Sequence, residues 1–380
     1  MKILMVSMPS LHFFRWTEQL FNTGHEVYWF DITGMSAPVD KISWTQQKVS
    51  WKLKWDFPGR IFLKNRLPKL YKVIQRFNEY STEAVFERYL KEIQPDVVHS
   101  FAMQIACLPI LQVMEKYSSI RWIYSSWGSD MFYSNEMHID ESKMKQVLRR
   151  TDYLITDCFR DFRIAEEKGF SNLFLGVFPG NGGIQYDEKE VLPINERKVI
   201  LIKGYNDQIG KGINCVKAIT NELLPLLTDF TIIVFGADVE VATYVKNSVV
   251  FQQLKKEVYL KTDFIANDLL LKMMGSSLIY LANSISDGLP NSLIEAMGMG
   301  AFPIQSNPGN ATKELINDKQ NGLLIQDPLD YNEITILVRE ALLDCRRIET
   351  AFHYNINYIK DRYNRVNNKI IIANLYESIS

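Results

Sequence analysis

At 380 residues, with 47% apolar and 23% charged side chains, the chain is long enough for two domains of ordinary size, each burying its own core. A net charge of −1 gives bulk electrostatics no preference for nucleic acid, and no run approaches the roughly 18 apolar residues of a membrane span. Cys107, Cys158, Cys215 and Cys345 are scattered without a CxxC pair and read as reduced thiols of a cytosolic protein.

In chain order, MKILMVSMPS carries an apolar run that ends at Pro9. It is too short for a signal peptide and reads as a first buried strand, Lys2–Ser7. His12–Asn22 reads as a helix closed by Gly24, and His25–Ile32 as a second strand. Asp96–Ser100, Arg121–Ser126, Asp152–Thr156 and Asn172–Val177 are further strands. Helices are expected between them at about 80–93, 104–117, 140–150 and 160–168. Strands alternating with helices imply parallel βαβ units and an α/β, doubly wound sheet. The pattern pauses at FPGNGGI (Phe178–Ile184), and a polar segment follows through Arg197. Alternation then restarts with Val199–Lys203, a helix from about 212 to 224, Phe230–Phe235, an element at Asp268–Met274, and Leu278–Ala282. This divides the chain into domains 1–180 and 181–380. Ala351–Ser380 reads as one or two helices, the last of which can pack back on the first domain.

Lys41–Arg76 breaks this order. It holds ten Lys or Arg residues against one acid, Asp56, with Trp44, Trp51, Trp55, Phe57 and Phe62 interleaved. Basic residues mixed with Trp suit an anionic membrane surface. A solvated helix face whose aromatic residues pack on the domain explains the same composition. Single-stranded nucleic acid is disfavoured because no other nucleic-acid motif accompanies the segment.

The chemistry concentrates late in the chain. After Leu278–Ala282 comes a polar loop, a helix at about Asn291–Met299 and a strand at Ala301–Gln305. Asp287 sits in the loop and Glu295 one turn inside the helix. Two carboxylates beside helix-start amides suit a sugar nucleotide, with phosphates on the amides and hydroxyls on the acids. A capping box from Ser292 to Glu295 and a tight turn at Asp287–Pro290 fit the same spacing. Upstream, strand Val199–Lys203 runs into GYNDQIGKG, so that Lys211 stands at a helix start within reach of a phosphate; the Walker A order fails at Gly212. The next strand ends in Gly236-Ala237-Asp238, where a ligand can approach the backbone. SSWGSD (Ser125–Asp130) closes a strand of the first domain, making Trp127 and Asp130 candidates to face a cleft; a core Trp and a capping Asp are the plain alternatives. His12 lies at the first βα junction and His99 at a strand end, so both are placed to face a cleft; a structural role is the plain alternative for each. No clustered His/Cys set, HExxH or GxSxG appears, and no DxD or other carboxylate cluster.

Taken together these residues resemble the retaining glycosyltransferases of family 4, the glycosyl transferases group 1. That family carries E-G-x-P-x-x-x-x-E-A-M-A-x-G, which stands here as Asp287-Gly288-Leu289-Pro290 through Glu295-Ala296-Met297-Gly298-Met299-Gly300. AFPIQSNPGNATKELINDKQNGLLIQD resembles the P-V-I, E-x-I and N-G-x-L-V elements that follow it. FPGNGGI resembles the hinge, and PDVVHS the D-V-V-H strand of the first domain.

The resemblance implies a GT-B fold, two Rossmann-like domains facing across a cleft and closing over the donor to exclude water. It implies transfer, with retention and without metal, of a sugar from a nucleoside diphosphate sugar to a glycan or lipid-linked acceptor in cell-surface polysaccharide synthesis. Glu295 would then hold the ribose, Asp287 a donor-sugar hydroxyl, and Lys211 the pyrophosphate. Gly288, Leu289, Asn291 and Ser292 would lend amides, while Tyr205, Gly236, Ala237 and Ile265 would line the donor pocket. His12, Trp127 and Asp130 would face the acceptor. The protein would be cytoplasmic, at the inner face of the membrane if Lys41–Arg76 binds lipid.

Three positions depart from the pattern: Asp287 replaces Glu, Tyr205 stands where the family has Arg, and Trp127 precedes Gly128 where the family has His. The departures keep two alternatives open. One is another sugar-nucleotide reaction (hydrolysis, epimerisation or phosphorolysis); the other is a non-catalytic sugar-binding partner in polysaccharide assembly.

Overall fold

The computed structural model describes residues 1–185 and 188–379; Tyr186 and Asp187 of the polar segment, and Ser380, lie outside the described residues. The chain forms two compact units. One comprises Met1–Asp157, Asp161–Gly182 and Lys369–Ser380, the other Cys158–Arg160 and Gly183–Asn368.

In the first unit, β1 (Lys2–Ser7), β2 (Glu26–Asp31), β3 (Gln46–Lys48), β4 (Val97–Phe101), β5 (Arg121–Ser125), β6 (Tyr153–Thr156) and β7 (Leu173–Val177) form one sheet. Its order is β3-β2-β1-β4-β5-β6-β7, parallel throughout. The central strands are apolar on both faces because helices cover both; β4 is buried along its whole length.

The helix expected at 104–117 is broken into a π turn (Met103–Cys107), a 3-10 turn (Leu108–Ile110) and a helix at Leu111–Lys116. Pro109 lacks the amide that a continuous helix needs there. The C-terminal helix Arg365–Ser378 contributes Ile372, Leu375 and Tyr376 to this unit's core. The indole of Trp16 donates to the Tyr376 hydroxyl (3.1 Å), which stands 2.5 Å from Nδ1 of His99. The second ring nitrogen, Nε2, stands 2.7 Å from Ser125 Oγ, so both nitrogens are satisfied inside the core. Burial pushes His99 down to about 3. It is a neutral core histidine.

In the second unit, β8 (Val199–Lys203), β9 (Thr231–Ala237), β10 (Lys255–Leu260), β11 (Ser277–Ala282), β12 (Phe302–Ser306) and β13 (Leu323–Ile325) form a parallel sheet of order β10-β9-β8-β11-β12-β13. The strand order reverses between β8 and β11, the position at which α/β sheets bind ligands beyond their C-terminal ends. The helix expected at 212–224 is interrupted: helix Gly212–Lys217 is followed by a 3-10 turn at Asn221–Leu223 and a short helix at Leu224–Leu227 whose second residue is Pro225. Asp268–Met274 lies within a helix, Asn267–Ser276. At the opposite end of the sheet, the buried Arg197 guanidinium donates to the carbonyls of Leu192, Ser277 and Met299 (2.9, 2.8 and 2.7 Å), and burial lowers it to about 10. This arginine is a structural pin, satisfying three carbonyls of irregular backbone.

Candidate active site

The site is assembled from the loops that leave β8, β9, β10 and β11. The loop after β8 is zipped to the loop after β11. The Lys211 amide donates to the Asn283 carbonyl and the Ile285 amide to the Ile209 carbonyl, each at 3.0 Å, and Gly210 bridges to Ser284. These bonds fix the backbone around the switch point before any ligand arrives.

Gly236, at the end of β9, has φ +60, and a Cβ there would lie 2.1 Å from the Tyr205 ring. The aromatic ring thus rests directly on bare backbone, which only glycine permits here. Two ammonium groups stand near the same ring: Lys203 Nζ is 5.0 Å from its centre and Lys261 Nζ 4.9 Å. Lys261 is also paired with Asp207 (3.2 Å) and Asp238 (3.6 Å). The position at which the sequence lacks the family's Arg is therefore flanked by positive charge from the end of β8 and from the loop after β10. Gly236→Ala should displace Tyr205 and strain the turn, at a cost of about 2 kcal/mol. A thermal melt checks the stability, and a donor titration should show weakened affinity.

Asp287 is partly exposed, and its Oδ1 accepts from the Gly288 amide (3.0 Å). Burial raises its pKa above the ordinary carboxylate value; Lys203, the Gly288 amide and Arg160 pull it the other way. The next helix runs Asn291–Gly298 with Pro290 as its N-cap and no side-chain cap bond. Ser292 is already inside the helix, where its Oγ accepts from the buried Tyr280 hydroxyl (2.8 Å). The Ser292–Glu295 capping box is therefore not what orders this turn. Leu289 and Glu295 are both buried, with Glu295 projecting from the second turn. Ala237, the last residue of β9, is buried; in the loop after β10, Ile265 is half-buried and the adjoining Phe264 almost fully exposed.

Lys211 is the N-cap residue of helix Gly212–Lys217. Its ammonium turns into its own loop, donating to the carbonyls of Asp207 (2.9 Å) and Gln208 (3.1 Å). Both acceptors are neutral and the bonds exposed, so swinging the side chain onto a phosphate costs little.

Four residues that sequence reasoning did not single out belong to this site. Arg160 donates from one guanidinium nitrogen to the carbonyls of Asp287 (2.8 Å) and Pro308 (2.9 Å). The Glu314 carboxylate accepts from the amides of Phe159 (2.8 Å) and Arg160 (3.0 Å), which holds that arginine in place. Lys203 and Lys261 supply the cations beside Tyr205. Lys203 was legible as a charged residue closing a strand immediately before Gly204. Nothing local marks Arg160, whose partner lies 127 residues away.

In the first unit, His12 is exposed in helix Leu11–Glu18 and packs edge-on against Trp127, ring centres 6.0 Å apart. Asp130, in contrast, is buried. It accepts from the Tyr124 hydroxyl (2.7 Å) and from the amides of Met103 (2.8 Å) and Trp127 (2.9 Å). These bonds tie the loop after β5 to the loop after β4, where Ala102 holds φ +67 and ψ 128, outside the regions a side chain favours. Burial raises the Asp130 pKa. The aspartate braces the loops, leaving Trp127 and His12 as the accessible groups there. Asp130→Ala should strand three donors and destabilise the fold by about 3 kcal/mol, read as a lowered denaturation midpoint.

The chain shares its fold with solved glycosyltransferases. Sucrose-phosphate synthase from Thermosynechococcus elongatus superposes with a TM-score of 0.69 at 14% identity, covering 100% of this chain and 98% of that one. HepE of Anabaena, solved in complex with UDP-glucose, gives 0.66 at 13% identity over 100% of both chains. The lipopolysaccharide outer core galactosyltransferase WaaB gives 0.64 at 14%, covering 100% and 99%. No curated protein sequence matches the chain. This is the GT-B fold of glycosyltransferases. Residues 185–356 match the family described as Glycosyl transferases group 1, which bears out the resemblance to that group read from Asp287–Gly300.

Proposed function

We propose that the protein transfers a sugar, with retention, from a nucleoside diphosphate sugar to a glycan or lipid-linked acceptor in surface polysaccharide synthesis. The observation that carries this reading is the clustering, at the switch point of the second sheet, of two carboxylates (Asp287 and Glu295) with helix-start amides and with Lys203, Lys211 and Arg160. Glu295 accepts from the ribose hydroxyls and Asp287 from a hydroxyl of the donor sugar. The amides of Gly288, Leu289, Asn291 and Ser292 meet the sugar and diphosphate. Tyr205, Gly236, Ala237 and Ile265 line the base side. Lys203 and Lys211 neutralise the charge that grows on the diphosphate as the glycosidic bond breaks, so that no metal is required for that task. The leaving phosphate then takes the proton of the incoming hydroxyl, while His12 and Trp127 meet the acceptor.

The deciding experiment incubates the protein with a panel of nucleoside diphosphate sugars and acceptors, following nucleotide release and product mass. A glycosylated acceptor with retained anomeric configuration supports transfer. A free sugar or an epimerised nucleotide would replace transfer with hydrolysis or epimerisation. Tight donor binding without turnover would make the chain a sugar-binding partner.

A further inference from the structure

The segment Lys41–Arg76 reaches the surface of the first unit as two helices, Arg60–Arg66 and Pro68–Asn78. Its base is firmly held. The Trp51 indole donates to the Asp31 carbonyl (2.8 Å) and its ring stacks on Phe30, centres 5.0 Å apart. The Asn78 side chain bonds both the amide and the carbonyl of Trp55 (2.9 and 2.8 Å), and Tyr71 is buried.

The outward face is different. Ile61, Leu70 and Val73 are exposed, and Phe62 and Phe77 keep 66% and 68% of their surface open. In helix Pro68–Asn78 the spacing of Leu70, Val73 and Phe77 puts them on one stripe. Lys69, Lys72 and Arg76 form a second stripe about 100° away at 3.6 residues per turn, and Tyr71 and Asn78 face the protein. An apolar stripe bared to solvent and flanked by a basic one is the arrangement of a helix lying in a membrane interface, with lysine and arginine stems reaching up to the headgroups.

We propose that these two helices are a docking surface for an anionic lipid bilayer, a reading independent of the transfer reaction. Charge complementarity selects this occupant: the two helices carry six basic residues and no acid, and the nearby Asp56 is already paired with Arg60 at 2.8 Å. A second copy of the chain would bring the same positive charge to the contact and be repelled. Phe62 and Phe77 would also give single-stranded nucleic acid stacking platforms, but the aliphatic Ile61, Leu70 and Val73 beside them have no role there and suit acyl chains.

Co-sedimentation of the full chain with phosphatidylcholine vesicles, with and without phosphatidylglycerol, tests the proposal. Binding should require the anionic lipid and weaken with salt. Changing Lys69, Lys72 and Arg76 to Gln should reduce the partition coefficient about fivefold per residue. The pair Phe62→Ser and Phe77→Ser should lower binding while leaving donor binding and the thermal midpoint unchanged, since neither side chain is packed. Absence of binding to anionic vesicles at low salt would overturn the proposal, as would binding indifferent to both sets of changes. A dimer in sedimentation velocity that the Phe changes dissolve would overturn it in favour of self-association.

Discussion

Glu295→Ala is expected to reduce kcat/KM for the donor about 10³-fold, chiefly through weakened binding. A buried carboxylate that accepts two sugar hydroxyls makes charge-assisted bonds of about 1.5–3 kcal/mol each, and the lower half of that range summed over two bonds already gives more than a hundredfold. Glu295 is the family residue at its position, is buried, and is carried on a helix whose first turn is fixed by Pro290 and by the Tyr280–Ser292 bond. Glu295→Gln keeps the shape and one strong acceptor and should lose only about tenfold. Isothermal titration with the donor identified by the panel, alongside initial rates, measures both. An Ala variant that keeps near-native donor affinity and a native thermal midpoint would leave the ribose without its partner and sink the assignment. The Ala–Gln contrast separates this from a folding defect, because the two variants should melt alike and bind differently.

Much of the fold was legible because it rests on patterns a linear sequence displays. Runs such as ILMV in β1 and VILI in β8 are apolar on both faces, so parallel strands stand out. What escaped notice depends on alternation or distance. The edge strand β10, KKEVYL, opens with three charged residues and is half exposed, so no apolar run marks it as a strand. β3 and β13 are three residues each, too short for a periodic signal. The break in the helix at 104–117 was announced by Pro109, a local rule outweighed by the apolar spacing.

At the site, Glu295 and Asp287 could be found because motif spacing places them on one loop–helix junction. Arg160 could not. It reaches the junction from a segment earlier than the domain break, held there by Glu314. Asp130 shows the reverse failure. A polar residue after a strand reads as a ligand group, yet buried amides nearby need an acceptor, and that need claims it.

Lys203→Met and Lys211→Met should each lower kcat about 10²-fold, the size expected when one donor to a developing negative charge is removed from a preorganised site. The pH dependence tells the two lysines apart. Burial holds Asp287 above the ordinary carboxylate pKa, and Lys203 is the strongest of the groups opposing that rise. A raised carboxylate favours its protonated form in the fold, so its contribution to stability is full below the ordinary value and is lost as pH rises through the raised one. Accepting a sugar hydroxyl requires the ionised form, so kcat/KM should fall as pH drops through that raised value. Lys203→Met removes the attraction that keeps the carboxylate ionised and should move this acid limb to higher pH. Lys211, whose ammonium is turned toward the Asp207 and Gln208 carbonyls, should leave it in place. Tyr205→Arg then supplies a cation where the family has one, and in the Lys203→Met background it should recover part of kcat and return the limb toward acid pH. If the two lysine variants give superimposable pH profiles, Lys203 does not act on Asp287. If Tyr205→Arg recovers neither rate nor profile, the lysines beside that ring are not the substitute for the missing arginine.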